Sequence, residues 1–123
     1  MSDEFYRTFK ASGNLQYQYS FMKMESDDTI GQAGNNEKAV GVLQNTASDG
    51  ESAVVKVAGI SKCVMNEAVA VGKYVTASAN KGYGEIVDNA GEHAVGMCLK
   101  SASAQGGVGK VVIAPFTAHA TDA

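Results

Sequence analysis

The chain has no tryptophan, one proline, and only two histidines and two cysteines among its 123 residues. With so few histidines, general-base chemistry has little to work with. His93 lies beside a turn signal and His119 in the C-terminal segment, and neither has a carboxylate orienter by motif. There is also no Gly-x-Ser-x-Gly elbow, no His-x-x-x-His pair and no Cys/His cluster at metal-ligand spacing, so neither an enzyme nor a bound metal or other cofactor is expected. Cys63 and Cys98 each sit inside an apolar run, far apart and outside any Cys-x-x-Cys pair. They are expected to be buried free thiols packing as small hydrophobes, with a disulfide as the alternative. The formal charge of −3 is spread in small steps without a Lys/Arg run. Nucleic acid is therefore excluded as the expected partner, because phosphate neutralisation needs clustered cations. No stretch approaches the roughly 20 apolar residues of a membrane-spanning helix. The opening Met1-Ser2-Asp3-Glu4 is acidic where a secretory signal is basic, so a soluble protein made in a cytoplasm is expected, with no membrane partner.

What the chain does contain is small apolar residues and turn formers. Hydrophobic residues make up 45% of it, many of them Ala and Val, and 14 glycines stand against Pro115 alone, a mixture that favours short strands and tight turns over long helices. From Ala39 onward short apolar runs alternate with turn signals, at 39–43, 53–57, 60–64, 73–76, 84–87, 94–99 and 109–113. The connections carry Ser48-Asp49-Gly50, Asn80-Lys81-Gly82, Asn89-Ala90-Gly91 and Gln105-Gly106-Gly107. This spacing predicts an all-β fold, a small barrel or sandwich. The best helix candidate, Asn66 to Val71, is too short to stand alone.

An internal echo supports the barrel. Ala39-Val40-Gly41-Val42-Leu43 leads through a polar loop to Val54-Val55-Lys56-Val57, and Ala94-Val95-Gly96-Met97-Cys98-Leu99 leads through a Ser/Ala/Gly loop to Lys110-Val111-Val112-Ile113. Both read as the same hairpin. Gly41 and Gly96, inside strands, mark a bulge or a close backbone approach.

Residues 1–37 have a different character. Six of the nine aromatic residues fall there (Phe5, Tyr6, Phe9, Tyr17, Tyr19 and Phe21), followed by a polar Gly/Asn-rich stretch from Ser26 to Asn36. The expected organisation is an N-terminal aromatic arm with a polar linker (1–37), a β domain (38–114) and a C-terminal tail (115–123). Leu15, Tyr17, Tyr19 and Phe21 alternate with polar residues, which places them on one face of an extended strand. That face either lies on the domain's own sheet or is laid across a neighbour by strand addition. On the second reading, deleting residues 1–24 would leave the β domain folded.

Three further patterns invite chemistry and fail on detail. Gly106-Gly107-Val108-Gly109-Lys110 has the look of a phosphate loop, yet Ala104 stands where a glycine is required and Val111 where Ser/Thr is required. Ser26 to Glu37 has calcium-loop spacing at Asp28, Gly31 and Glu37, but Ile30 occupies a ligand position. Glu51, Glu67, Glu85, Asp88 and Glu92 fall beside turns and read as solvated carboxylates rather than a glycosidic acid/base pair.

The succession Val40-Gly41-Val42-Leu43-Gln44-Asn45, then a Gly50-Glu51 turn, then Val55-Lys56-Val57-Ala58-Gly59-Ile60-Ser61-Lys62, resembles the small decoration (cement, head-stabilising) proteins of tailed-phage capsids. The likeness continues through Ala70-Val71-Gly72-Lys73-Tyr74-Val75-Thr76 and Ala94-Val95-Gly96-Met97-Cys98-Leu99, covering roughly residues 38–113. Lys73 departs from it, standing where the family often has an acidic residue. The resemblance implies a β-tulip-like barrel and no catalysis. It further implies a virion component on the outer capsid surface, whose partners are the major capsid protein and its own copies in a homotrimer. The arm residues Phe5, Tyr6, Phe9, Leu15, Tyr17, Tyr19 and Phe21 are then the expected capsid or subunit contacts. A tail or spike component and a small carbohydrate- or peptide-binding module are the alternatives.

Overall fold

The computed structural model describes residues 5–88 and 91–117, and among these it is entirely β. The strands are β1 (Phe5–Ala11), β2 (Phe21–Ser26), β3 (Thr29–Gln32), β4 (Gly41–Leu43), β5 (Ser52–Val64), β6 (Tyr74–Ala77), β7 (Gly84–Ile86), β8 (His93–Lys100) and β9 (Val108–Thr117). Their order is β1-β3-β2-β4-β5-β9-β8-β6-β7, and β1 also pairs with β5. That extra pairing closes β1, β3, β2, β4 and β5 into a five-stranded barrel. Six register pairs, Phe5↔Ala58 to Lys10↔Ser52, make the closing seam. The remaining strands continue from the far half of β5, and β7 returns toward its end through a Met65↔Gly84 bridge. One 13-residue strand therefore belongs to both halves.

Each half has its own core. Ala11, Leu15, Met22, Ile30, Leu43 and Val55 fill the barrel, while Phe21, Val42, Cys63, Met65, Val75 and Val111 belong to the second core. Period-2 alternation explains how β2 and β4 serve both. Phe21 and Val42 point to one core while Met22 and Leu43 point to the other, so all three residues of β4 are buried. The echo is real in three dimensions: β4 pairs with β5, and β8 with β9, both antiparallel. Gly41 and Gly96 are the close approaches expected. A Cβ at Gly41 would collide with the Lys56 carbonyl oxygen, and one at Gly96 with that of Val112.

Three expectations need correction. Residues 5–37 are not an arm on a linker, because they supply β1, β2 and β3, three of the five barrel strands. Leu15 to Phe21 is not one extended strand. Tyr19 takes a left-handed backbone (φ 64°), and the Ser20 hydroxyl donates to the Tyr17 carbonyl at 2.6 Å. The chain turns there, sending Leu15 into the barrel core and Phe21 into the other. The Asn66 to Val71 segment, read as too short for a helix, forms none, and its Val69 N–H donates to the Ala102 carbonyl across a β-bridge. The tail does not begin at Pro115 either, because β9 runs on to Thr117. His119 lies outside the described residues.

Candidate functional site

Three surface features stand out among the described residues. The first is the start of β1. Phe5 and Tyr6 remain 61% and 52% exposed, which is unusual for large side chains in a strand. Lys56 Nζ lies 5.0 Å from the centre of the Tyr6 ring, a cation–π distance. On its other edge β1 pairs with β3 only at Lys10 and Ala11, so from Phe5 to Phe9 that edge meets no strand among the described residues.

The other aromatic positions divide. Phe9 packs on the barrel core, and Leu15 and Phe21 are fully internal. Those last two cannot contact a partner, which corrects the sequence expectation for them. Tyr17 stands edge-on to Tyr83, ring centres 6.1 Å apart, with Lys81 Nζ 5.2 Å above it. Tyr19 packs against the second core and has Lys62 Nζ 5.8 Å from its ring.

The second surface is a groove of about 440 Å³ where the two halves meet along β5. Tyr19 and Gln44 come from the barrel side, Ile60, Ser61 and Lys62 from β5 itself, and Lys110 from β9. Gln44 Nε2 donates to Ser61 Oγ at 3.0 Å and to the Val42 carbonyl at 3.0 Å, and Ser61 Oγ donates to the Lys62 carbonyl at 2.8 Å. Lys56, almost wholly buried, crosses the floor to donate to the Ile60 carbonyl. Gly59 (φ 101°) provides the bend that brings Lys56 and Ile60 together, a backbone other residues rarely adopt. The sequence pointed to the aromatics and missed this groove. Lys62 and Lys110 sit in separate strands, and only the register brings them side by side.

The third feature is acidic. Glu67 Oε2 accepts from the Ile86 N–H at 2.9 Å and Glu92 Oε1 from the Asp88 N–H at 2.9 Å, around the short strand that carries Glu85. Partial burial, then repulsion from Glu67, Glu92 and Asp88, holds the Glu85 carboxyl above its usual range. Elsewhere, Glu37 accepts from Lys23 Nζ at 2.9 Å and from the Gly34 N–H at 2.6 Å, so the Ser26–Glu37 stretch is a hairpin and an ion-paired loop. Cys63 and Cys98 are free and buried, as expected, and burial pushes the Cys63 thiol up to about 12. Gly106 and Gly107 form the turn feeding β9, a hairpin rather than an anion cradle.

The fold so defined is a small all-β barrel class with no helix among the described residues. One solved structure with the same fold is the N base of the head fiber gp8.5 of bacteriophage phi29, which aligns with a TM-score of 0.71 over 90% of this chain and 94% of its own at 18% identity. No protein-family model and no curated protein matches the chain.

Proposed function

We propose that the chain is a non-enzymatic structural component of a tailed-phage head, a decoration protein that sits on the outer capsid surface and bridges subunits of the major capsid protein. The observation that carries this reading is the fold shared, over nearly the whole of both chains, with the base of a phage head fiber. The resemblance of residues 38–113 to capsid decoration proteins points the same way. Packaged DNA presses a shell outward, and a bridging protein opposes separation because many contacts must break at once. Assembly as a homotrimer multiplies that effect, since after the first attachment each later one is intramolecular.

The start of β1 is the contact surface favoured by this reading. Phe5 and Tyr6 present large, exposed rings on a strand held to β5, and buried aromatics dominate the energetics of protein interfaces. Phe9, Tyr17 and Tyr19 are half-buried and contribute less. The test is co-sedimentation with purified heads that lack the protein. The double substitution Phe5→Ala, Tyr6→Ala is expected to weaken attachment about tenfold or more, with the melting temperature little changed because both side chains are exposed. Equal attachment by wild type and variant removes β1 from the contact. No attachment by wild type removes the decoration role itself.

A further inference from the structure

We infer that the groove along β5 between Gln44 and Tyr19 binds an acidic, extended segment of a partner protein, whose main chain meets the open edge of β5 and whose carboxylates face Lys62 and Lys110. This rests on the proposed function only for who the partner is; the chemistry of the groove stands by itself.

The edge comes first. Beyond the bend at Gly59, β5 gives one edge to β9 from Gly59 to Val64. On the opposite edge β4 reaches only Lys56, and the next backbone contact among the described residues is the Val64 N–H donating to the Tyr19 carbonyl at 3.0 Å. Strand alternation turns the N–H groups of Ile60 and Lys62 to the same side as that of Val64. The two carbonyls on this side are already occupied, Ile60's by Lys56 Nζ and Lys62's by the Ser61 hydroxyl. What this edge offers is therefore donors. Two N–H groups two residues apart lie about 6.6–6.8 Å from each other, the repeat of carbonyl groups along one side of an extended strand.

The charge follows. Lys62 and Lys110 stand directly opposite one another in the β5–β9 register, a like-charge pair that costs stability on a sheet surface. No Asp or Glu among the described residues lines the groove. The whole chain nevertheless carries a formal −3. This local excess of positive charge, on an acidic protein and beside open N–H donors, suits a carboxylate-bearing strand. It does not suit a nucleic acid, which needs a longer track of cations to follow successive phosphates. Lys56 Nζ on the Ile60 carbonyl and the Tyr19 carbonyl on the Val64 N–H bound this stretch of β5, so it accepts about three or four residues. The apolar side of Ile60, 44% exposed, is available to an apolar residue two positions from an acidic one.

The experiment titrates the full chain, isotope-labelled, with a blocked peptide of alternating threonine and glutamate and follows the backbone amides. The amides of Ile60 and Lys62 are expected to move, with an affinity that falls about tenfold between low and high salt. The variant Lys62→Glu, Lys110→Glu is expected to lose the response while melting normally, since both side chains are exposed. Unmoved amides, retained binding by the variant, or an equal response to inorganic phosphate, to an oligothymidylate or to a threonine–lysine peptide would each overturn the inference. On purified heads the two readings separate. Heads that bind wild type and the lysine variant equally count against the groove alone, whereas heads that bind neither protein count against the decoration role.

Discussion

The two halves of the molecule close in different ways. The barrel half completes its ring with a whole strand, six residues of β1 laid along β5. The second half closes with one bridge, Met65↔Gly84, supplemented by the Asn66 N–H donating to the Gly84 carbonyl at 2.7 Å and by Glu67 capping the Ile86 N–H. A full strand satisfies its edge internally but makes the half dependent on a distant piece of chain. A bridge and a carboxylate blunt an edge with local residues, and here they leave four acids crowded around β7. The barrel is thus the half that breaks when the N-terminus is altered, and the second half is the one that responds to acid.

The comparison can be broken most severely at the seam. Removing residues 1–12 takes away β1 and opens the barrel onto Leu15, Met22 and Ile30. The expected loss exceeds the ~5 kcal/mol of the worst single core truncation, so no cooperative melting of the barrel half should survive in circular dichroism. The same reasoning replaces the expectation, made on the strand-addition reading, that the β domain stays folded without residues 1–24. Smaller and more symmetric is the effect of a methyl group at the paired glycines. Gly41→Ala drives a Cβ into the Lys56 carbonyl and Gly96→Ala into that of Val112. Each is expected to cost about 1–3 kcal/mol in urea unfolding, and unequal costs would show which hairpin is more able to yield.

Smallest is the effect at Glu85. Because its carboxyl is held above the usual range, the folded chain binds that proton more tightly than the unfolded chain does. The associated stability is complete below the ordinary glutamate value of about 4.3 and is lost as pH rises through the raised value. Glu85→Gln removes that loss. It is expected to raise the melting temperature by about 1–2 °C near neutral pH and to leave it unchanged in acid. An equal gain at both pH values would trace the effect to something other than charge.

Much of the second half was legible because its signals are local. Strands expected at 73–76, 94–99 and 109–113 appear as Tyr74–Ala77, His93–Lys100 and Val108–Thr117. Turns expected at Asn80-Lys81-Gly82 and Gln105-Gly106-Gly107 have left-handed glycines, Gly82 at φ 69° and Gly106 at φ 84°. The two runs 53–57 and 60–64 proved to be one strand, because Gly59 bends β5 without ending it. The barrel half was misread for the opposite reason. Its closure pairs Phe5 with Ala58 and Lys10 with Ser52, contacts between residues over 40 positions apart that no period reveals. An alternation such as Leu15 to Phe21 says which residues could share a face. It cannot show that a turn at Tyr19 hands the two ends to different cores. The groove was hidden likewise, since Lys62 and Lys110 become neighbours only through strand register.

Both thiols lie in the second core and none in the barrel. A protonated, enclosed sulfur reacts with an alkylating reagent only when its surroundings open, so the speed of modification of Cys63 and Cys98 reports on that half alone. The chain therefore carries a native clock for one of its two rings, against which the opening of the other can be timed without adding a label.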